Sequence, residues 1–273
     1  MRRHARSLPA DDDTRGLVTE LHEKSGYQLR IRGHLSQAEE IVRAVLAACE
    51  QLSREFPKVY GWQLGLTHYH LATIHLVRVE KDAAVAAYEL AFAAFNRIMR
   101  ELPNDAKLGE QLDTLVLRMC EKLYGAGIST AVVSLVERYR DCVAEARPEN
   151  LAPHATIFSY GGTALLEQHK FPAAEAMFRR CLELREAREP NNWITFNTRS
   201  ILGETLLEQL KYEEAAPLLL SGYEGMAARR VNIPGIYSNR LPEALQRLIA
   251  WAEAAGKTCD VQKGQKELDG CDS

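Results

Sequence analysis

The sequence is short of the patterns that announce chemistry. Its six cysteines (Cys49, Cys120, Cys142, Cys181, Cys259 and Cys271) are never closer than 12 residues and form no CxxC pair, which removes the usual zinc and dithiol motifs. No HExxH occurs, since His22-Glu23 lacks the second histidine. His68 and His75 share a helix face but stand about 10.5 Å apart along its axis, too far to hold one metal. No run of about 18 apolar residues is present, so no membrane span is expected. Met1–Asp13 is basic, then acidic, without an apolar core, and does not read as a secretory signal. Lys and Arg number 34 against 37 Asp and Glu, a net charge of −3; this withdraws the electrostatic argument for nucleic-acid binding. β-branched and aromatic residues do not alternate in runs, so no strand pattern competes with helix.

What is present is repetition. Sliding the chain by 46 residues brings 26–57 onto 72–103, with Ala38 on Ala84, Val42 on Tyr88, Cys49 on Phe95 and Pro57 on Pro103. In each copy the apolar positions step by 3 and 4, which makes one continuous stripe on a helix of about 20 residues. A proline closes it, because proline cannot donate the next helical hydrogen bond. Three further copies follow, striped by Val136, Tyr139, Val143 and Ala146, by Phe178, Cys181 and Leu184, and by Leu219, Gly222 and Met226. Before each stripe a shorter helix is expected, joined to it by a tight turn at 32–35, 78–81, 125–128, 168–171 or 209–212. Pro172 and Pro217 are expected in the first turn of their helices, where proline costs nothing.

Small residues recur at two positions of the repeat. Gly26, Ala72, Gly162 and Gly203 fall on the first helix of each pair, and Ala38, Ala84, Ala174 and Ala215 on the second. Antiparallel helices on a short turn approach closely only where side chains are small. The third copy departs from this, with Cys120 and Val132 at the small positions. Leu241–Ala255, stopped by Gly256, reads as a helix covering the last repeat, as open arrays require. Val231–Asn239, with Pro234-Gly235, reads as a loop.

The pattern resembles tetratricopeptide repeats, a unit of about 34 residues. Gly161-Gly162, Leu165, Phe171, Ala174, Phe178 and Cys181 match it, as do Leu202-Gly203, Leu206, Tyr212, Ala215 and Leu219. The longer spacing is similar to that of kinesin-light-chain-type arrays, and the likeness covers about residues 17–230. The stretch from Phe178-Arg179-Arg180-Cys181 through Asn192-Trp193 and Thr195–Thr198 to Gly222–Met226 is similar to the arrays that follow bacterial Ser/Thr protein kinase domains. This chain holds no Gly-rich loop, HRD or DFG of its own. The resemblance implies an all-α, right-handed solenoid of five hairpins plus a C-terminal capping helix, spanning 15–256 between a flexible 1–14 and a polar tail, 257–273.

It also implies a role: a non-catalytic scaffold binding a protein or peptide along a concave groove lined by the first helices; the spaced cysteines read as a reduced, cytoplasmic setting, and no cofactor or metal is expected. The transferred groove positions are Tyr27, Tyr69, Thr73, Leu76, Glu121, Ser159, Thr163, Leu166, Ser200 and Glu204. The carboxylate clamp of chaperone-tail-binding members is missing, since Thr or Glu stands for its Asn, so binding of a C-terminal Asp/Glu motif is not expected. Alternatives are a regulatory module acting with a Ser/Thr kinase and an α-helical enzyme using paired carboxylates. For the second, Glu121, Glu167, Glu204 and Glu208 are available but read as solvated faces, as do the arginines at 179, 180, 185, 188, 229 and 230. Cys49 and Cys181 read as core residues.

Overall fold

The computed structural model describes residues 34–102, 105–143 and 151–256. Tyr27, the first helix of the first repeat, the flanking segments 1–14 and 257–273, and Cys259 and Cys271 lie outside the described residues. Ten α-helices and two short 3₁₀ turns make up the described chain, which is all-α. They fall into two compact units that divide after Ile128.

Unit 1 contains α1 (Leu35–Glu55), α2 (Pro57–Val77), α3 (Lys81–Glu101) and α4 (Ala106–Gly125). Phe56 alone separates α1 from α2, and Pro57 takes the first position of the new helix, where its missing N–H is harmless. One proline thus ends one helix and opens the next. α1 lies on α2 through Ala38, Val42, Leu71 and Ile74, flanked by Leu46. α2 and α3 form a hairpin whose seam is close because α2 presents glycine: a methyl group on Gly61 or Gly65 would run into Ile98 or the Phe95 ring. Tyr69 and Tyr88 meet farther along, with ring centroids 5.7 Å apart.

Unit 2 contains α5 (Ser129–Val143), α6 (Leu151–Glu167), α7 (Phe171–Arg188), α8 (Trp193–Leu207), α9 (Tyr212–Ala227) and α10 (Arg240–Ala254). α6/α7 and α8/α9 are hairpins built like α2/α3. A Cβ on Gly162 would stand 2.9 Å from the Phe178 ring, and one on Gly203 2.6 Å from Leu219 Cγ. The small residues on the second helices, Ala84, Ala174 and Ala215, are wholly buried, as are the larger Cys120 and Val132 of the third copy. α10 covers the end of the last hairpin: Leu241 and Ala244 join Phe196 and Met226, and the Trp251 indole donates to the Tyr212 carbonyl at 3.1 Å. Its polar side faces α8, where Arg247 meets Glu204 at 2.5 Å.

The hairpin turns share one geometry. Val79, Gly127, His169 and Leu210 occupy the same turn position, and all have φ between 56° and 70°. After α2, the Glu80 N–H reaches the His75 carbonyl and the Val79 N–H the Leu76 carbonyl; the same pair of bonds closes α4, α6 and α8. These are Schellman caps, which need a left-handed residue.

Four expectations need correction. The first helices are not consistently the shorter ones: α2 matches α3 at 21 residues and α4 exceeds α5, whereas α6 and α8 are each one residue shorter than α7 and α9. Pro217 lies inside α9, beyond its first turn, where it leaves the Glu213 carbonyl without its i+4 donor on the exposed side. Residues 231–239 are not plain loop but carry 3₁₀ turns at Arg230–Asn232 and Gly235–Tyr237. Arg185 is not on a solvated face: it is 7% exposed, donating to Thr198 Oγ1 and to the Ile194 carbonyl, and so ties α7 to α8.

Candidate functional site

The hairpin seams decide which side chains of the first helices remain available. On α8, Phe196, Ser200 and Gly203 face α9. The Ser200 backbone would stand 2.8 Å from a Cβ on Gly222, and the Phe196 ring lies against Gly225. Residues three, four and seven apart share a helix face, so Leu207 falls on this side too. The repeat register places Tyr69 and Leu76 of α2, and Ser159 and Leu166 of α6, on the equivalent side. Tyr69 is accordingly buried against Tyr88, Ser200 is fully buried, and Leu76, Ser159 and Leu166 are half-buried.

Thr73, Thr163 and Glu204 stand one step around the helix, at the edge of the seam. Thr73 is buried and within 3.3 Å of the Tyr88 hydroxyl. Thr163 is half-buried and donates to the Ser159 carbonyl at 2.9 Å. Glu204 is held by Arg247 of α10. Glu121, on α4, is exposed.

A stripe farther from the seam carries the more open side chains: His70 and Val77 on α2, Tyr160 and Glu167 on α6, Ile201 and Glu208 on α8. Val77 is 52% exposed, Glu167 and Glu208 are exposed, and the other three are half-buried. The transferred positions stand about one residue from this stripe. The seam side can be read from the sequence, because Gly162 and Gly203 mark it and a residue three before a seam glycine shares its face. α6 and α8 both pack against α7. Beside Ile201 sits Asn197, 8% exposed, whose Oδ1 has no hydrogen-bond partner.

The titratable groups are occupied structurally. Glu175 on α7 accepts from Arg179, Gln209 and Lys211 at 2.7–2.9 Å. Burial pushes its carboxyl up, but these donors outweigh it and bring the pKa down to about 2. Glu39 on α1 occupies the same repeat position, bonded by Arg43 and by Arg78 from the next turn; the Arg43 bond is the main cause of its lowered pKa. Burial raises the thiols of Cys49, Cys120 and Cys181, which suits core residues and not nucleophiles. Among the described residues no group of three or more His, Cys, Asp or Glu side chains could hold a metal, and no helix is long and apolar enough to cross a membrane.

No protein-family model matches the sequence, and no curated protein matches it. Solved structures do. BtubC (BKLC) from P. vanneervenii aligns over 87% of this chain and 90% of its own, with TM-score 0.58 and 16% identity. PilF of Pseudomonas aeruginosa aligns over 93% and 92%, with TM-score 0.50 and 16% identity. Both are tetratricopeptide-repeat structures. The fold is a tetratricopeptide-repeat fold. At these identities the likeness is one of fold. The C-terminal part of a TPR repeat-containing protein from Cytophaga hutchinsonii aligns over 90% of this chain and 94% of its own, with TM-score 0.42 and 15% identity.

Proposed function

We propose that the chain is a non-catalytic protein-interaction scaffold, and that unit 2 takes an extended peptide across α6 and α8. The observation that supports this is the stripe of Tyr160, Ile201 and Glu208, with Thr163 at its edge. It mixes hydroxyl, apolar and acidic groups on two helices braced by a third. Asn197 adds an amide oxygen that an incoming N–H would satisfy after one side-chain rotation, and a bond of this kind is worth about 1 kcal/mol. Peptides without strong charge fit such a surface. A cytoplasmic location rests on the cysteine pattern, and a connection to a Ser/Thr kinase on the sequence resemblance.

The test is selection from a displayed peptide library against the full chain, followed by binding measurements on Ile201→Arg and Asn197→Leu. Both changes lie outside the seams, so thermal stability should hold while selected peptides lose tenfold or more in affinity. Unchanged affinity in both variants would move the binding surface off α6 and α8.

A further inference from the structure

Between α9 and α10 the chain turns two aliphatic side chains into water. Val231 is 93% exposed and Ile236 82%, the highest values of any large apolar side chain among the described residues. Looseness does not account for this, because the connection is fixed at several points. Two 3₁₀ turns shape it, with the Ile233 N–H donating to the Arg230 carbonyl and the Tyr237 N–H to the Pro234 carbonyl. Ile233, between the turns, packs against the cluster of Phe196, Met226, Leu241 and Ala244. Arg229 donates to the Asn191 carbonyl at 2.6 Å, and the Tyr237 ring centre lies 5.6 Å from that of Trp193 at the start of α8. The loop therefore uses one isoleucine for packing and holds a valine and another isoleucine out. Apolar side chains fixed in water are a standing cost that burial against a partner removes.

The charge around them has one sign. Residues 225–242 contain Arg229, Arg230 and Arg240 and no Asp, Glu or Lys, in a chain whose net charge is −3. Glu243 neutralises Arg240 at 2.8 Å. Arg229 is spent on uncharged groups, the Asn191 and Gly225 carbonyls and the face of the Phe196 ring. Arg230 is exposed and makes no ion pair among the described residues. Two cations thus flank the aliphatic pair without a carboxylate to offset them.

We propose that the α9–α10 connection docks on an anionic lipid bilayer. Val231 and Ile236 enter the acyl boundary, Tyr237 and Trp193 lie at headgroup depth, where amphipathic rings settle, and Arg229 and Arg230 face lipid phosphate. A protein partner would need a separate pocket for each of two side chains five residues apart, with acids placed to match. A bilayer supplies apolar depth and negative charge over any area. The contact is peripheral, since no helix among the described residues is long and apolar enough to cross a membrane. Two aliphatic side chains and two cations give a weak, reversible attachment. The proposal does not rest on the peptide surface of α6 and α8.

The test is flotation of the full chain with vesicles of phosphatidylcholine alone and of phosphatidylcholine and phosphatidylglycerol in equal parts. A chain of net charge −3 is repelled as a whole by the second surface, so preference for it reports a local cationic face. Binding to the mixed vesicles should exceed binding to the neutral ones by about tenfold or more, at about fivefold per arginine, and the preference should fade at high salt. Arg230→Gln should lower it about fivefold. The double variant Val231→Ser/Ile236→Ser should lower it about tenfold or more, with helical spectrum and melting temperature unchanged, since neither side chain belongs to the packed cluster. Leu210→Ser, which removes a 70% exposed leucine from a hairpin turn, should bind as the wild type does. Absence of binding, equal binding to the two vesicle types, or mixed-vesicle binding that survives the double variant overturns the proposal.

Discussion

The two units solve one packing problem in different ways. In unit 2 the junction of three helices is sealed by Arg199 and Arg229 around Phe196, and the arginine is anchored on Glu186. In unit 1 the matching positions carry His68 and Ile98, the matching acid is Glu50, and a cavity remains. The ring changes sides as well: Gly65 stands where unit 2 has Phe196, and the Phe95 ring packs on it from α3, while an imidazole does not reach as far as a guanidinium. A repeat architecture therefore fixes where niches occur, and individual residues decide whether each is filled. A second shared device shows the same logic. Glu39 with Arg43 and Arg78, and Glu175 with Arg179, Gln209 and Lys211, tie one hairpin to the next turn at equivalent positions. The copies between them carry Val85 and Val133 instead.

The seam is where the units should behave alike, and the largest effects are expected there. Ala84→Leu in unit 1 and Ala215→Leu in unit 2 each force a bulky side chain into a fully buried position. Overpacking of this kind costs about 2–3 kcal/mol. Urea denaturation should show a lowered midpoint for both. A stable Ala215→Leu would mean that the seam is not the constraint it is taken to be.

The niche is where the units should diverge. Arg199→His gives unit 2 the residue of unit 1; it removes the Glu186 pair and one cation over Phe196, for a loss of about 1.5 kcal/mol. His68→Arg makes the reverse exchange, placing a guanidinium within reach of Glu50, and should stabilise. Two destabilising outcomes would show that the niches are not equivalent.

The braces allow a finer comparison by pH. Glu175 is held down to about 2 in the folded chain, below the roughly 4.3 of a free glutamate. A depressed carboxylate stabilises fully above the unfolded value, and that contribution fades as pH falls from about 4.3 toward 2. Glu175→Gln should cost about 1 kcal/mol at pH 7 and flatten the acid limb of a stability profile. Glu39→Gln should act in the same direction. An acid limb unchanged by Glu175→Gln would remove the brace as a source of stability.

Most of the fold was legible because it is periodic. The 3–4 spacing of apolar residues, the prolines after the stripes and the small residues at fixed positions each specify local geometry and agree with one another. What stayed hidden depends on neighbours that spacing does not encode. Arg185 has the composition of a surface residue and becomes buried only because Thr198 and the Ile194 carbonyl arrive on the next helix. The transferred groove positions include buried residues such as Tyr69 and Ser200, because a general repeat alignment does not carry the packing around this chain's own seam glycines. The cavity at His68 had no sequence signal at all, since it is defined by an arginine present in another copy.

The smallest effect concerns the turns, where the four copies differ only in which residue adopts the left-handed conformation. Gly127 does so freely, whereas Val79, His169 and Leu210 do not, and Val79 is β-branched. The left-handed region costs a non-glycine residue about 1–2 kcal/mol, and a glycine adds about 0.4–1 kcal/mol of unfolded-state entropy. Val79 is 73% exposed, so its replacement loses almost no burial. Val79→Gly should therefore stabilise unit 1 by about 0.5 kcal/mol, and Gly127→Val should destabilise it by a similar amount. Thermal unfolding of the two single variants would read this directly. A destabilised Val79→Gly would mean that the exposed valine makes a contribution in the folded turn that outweighs its strain.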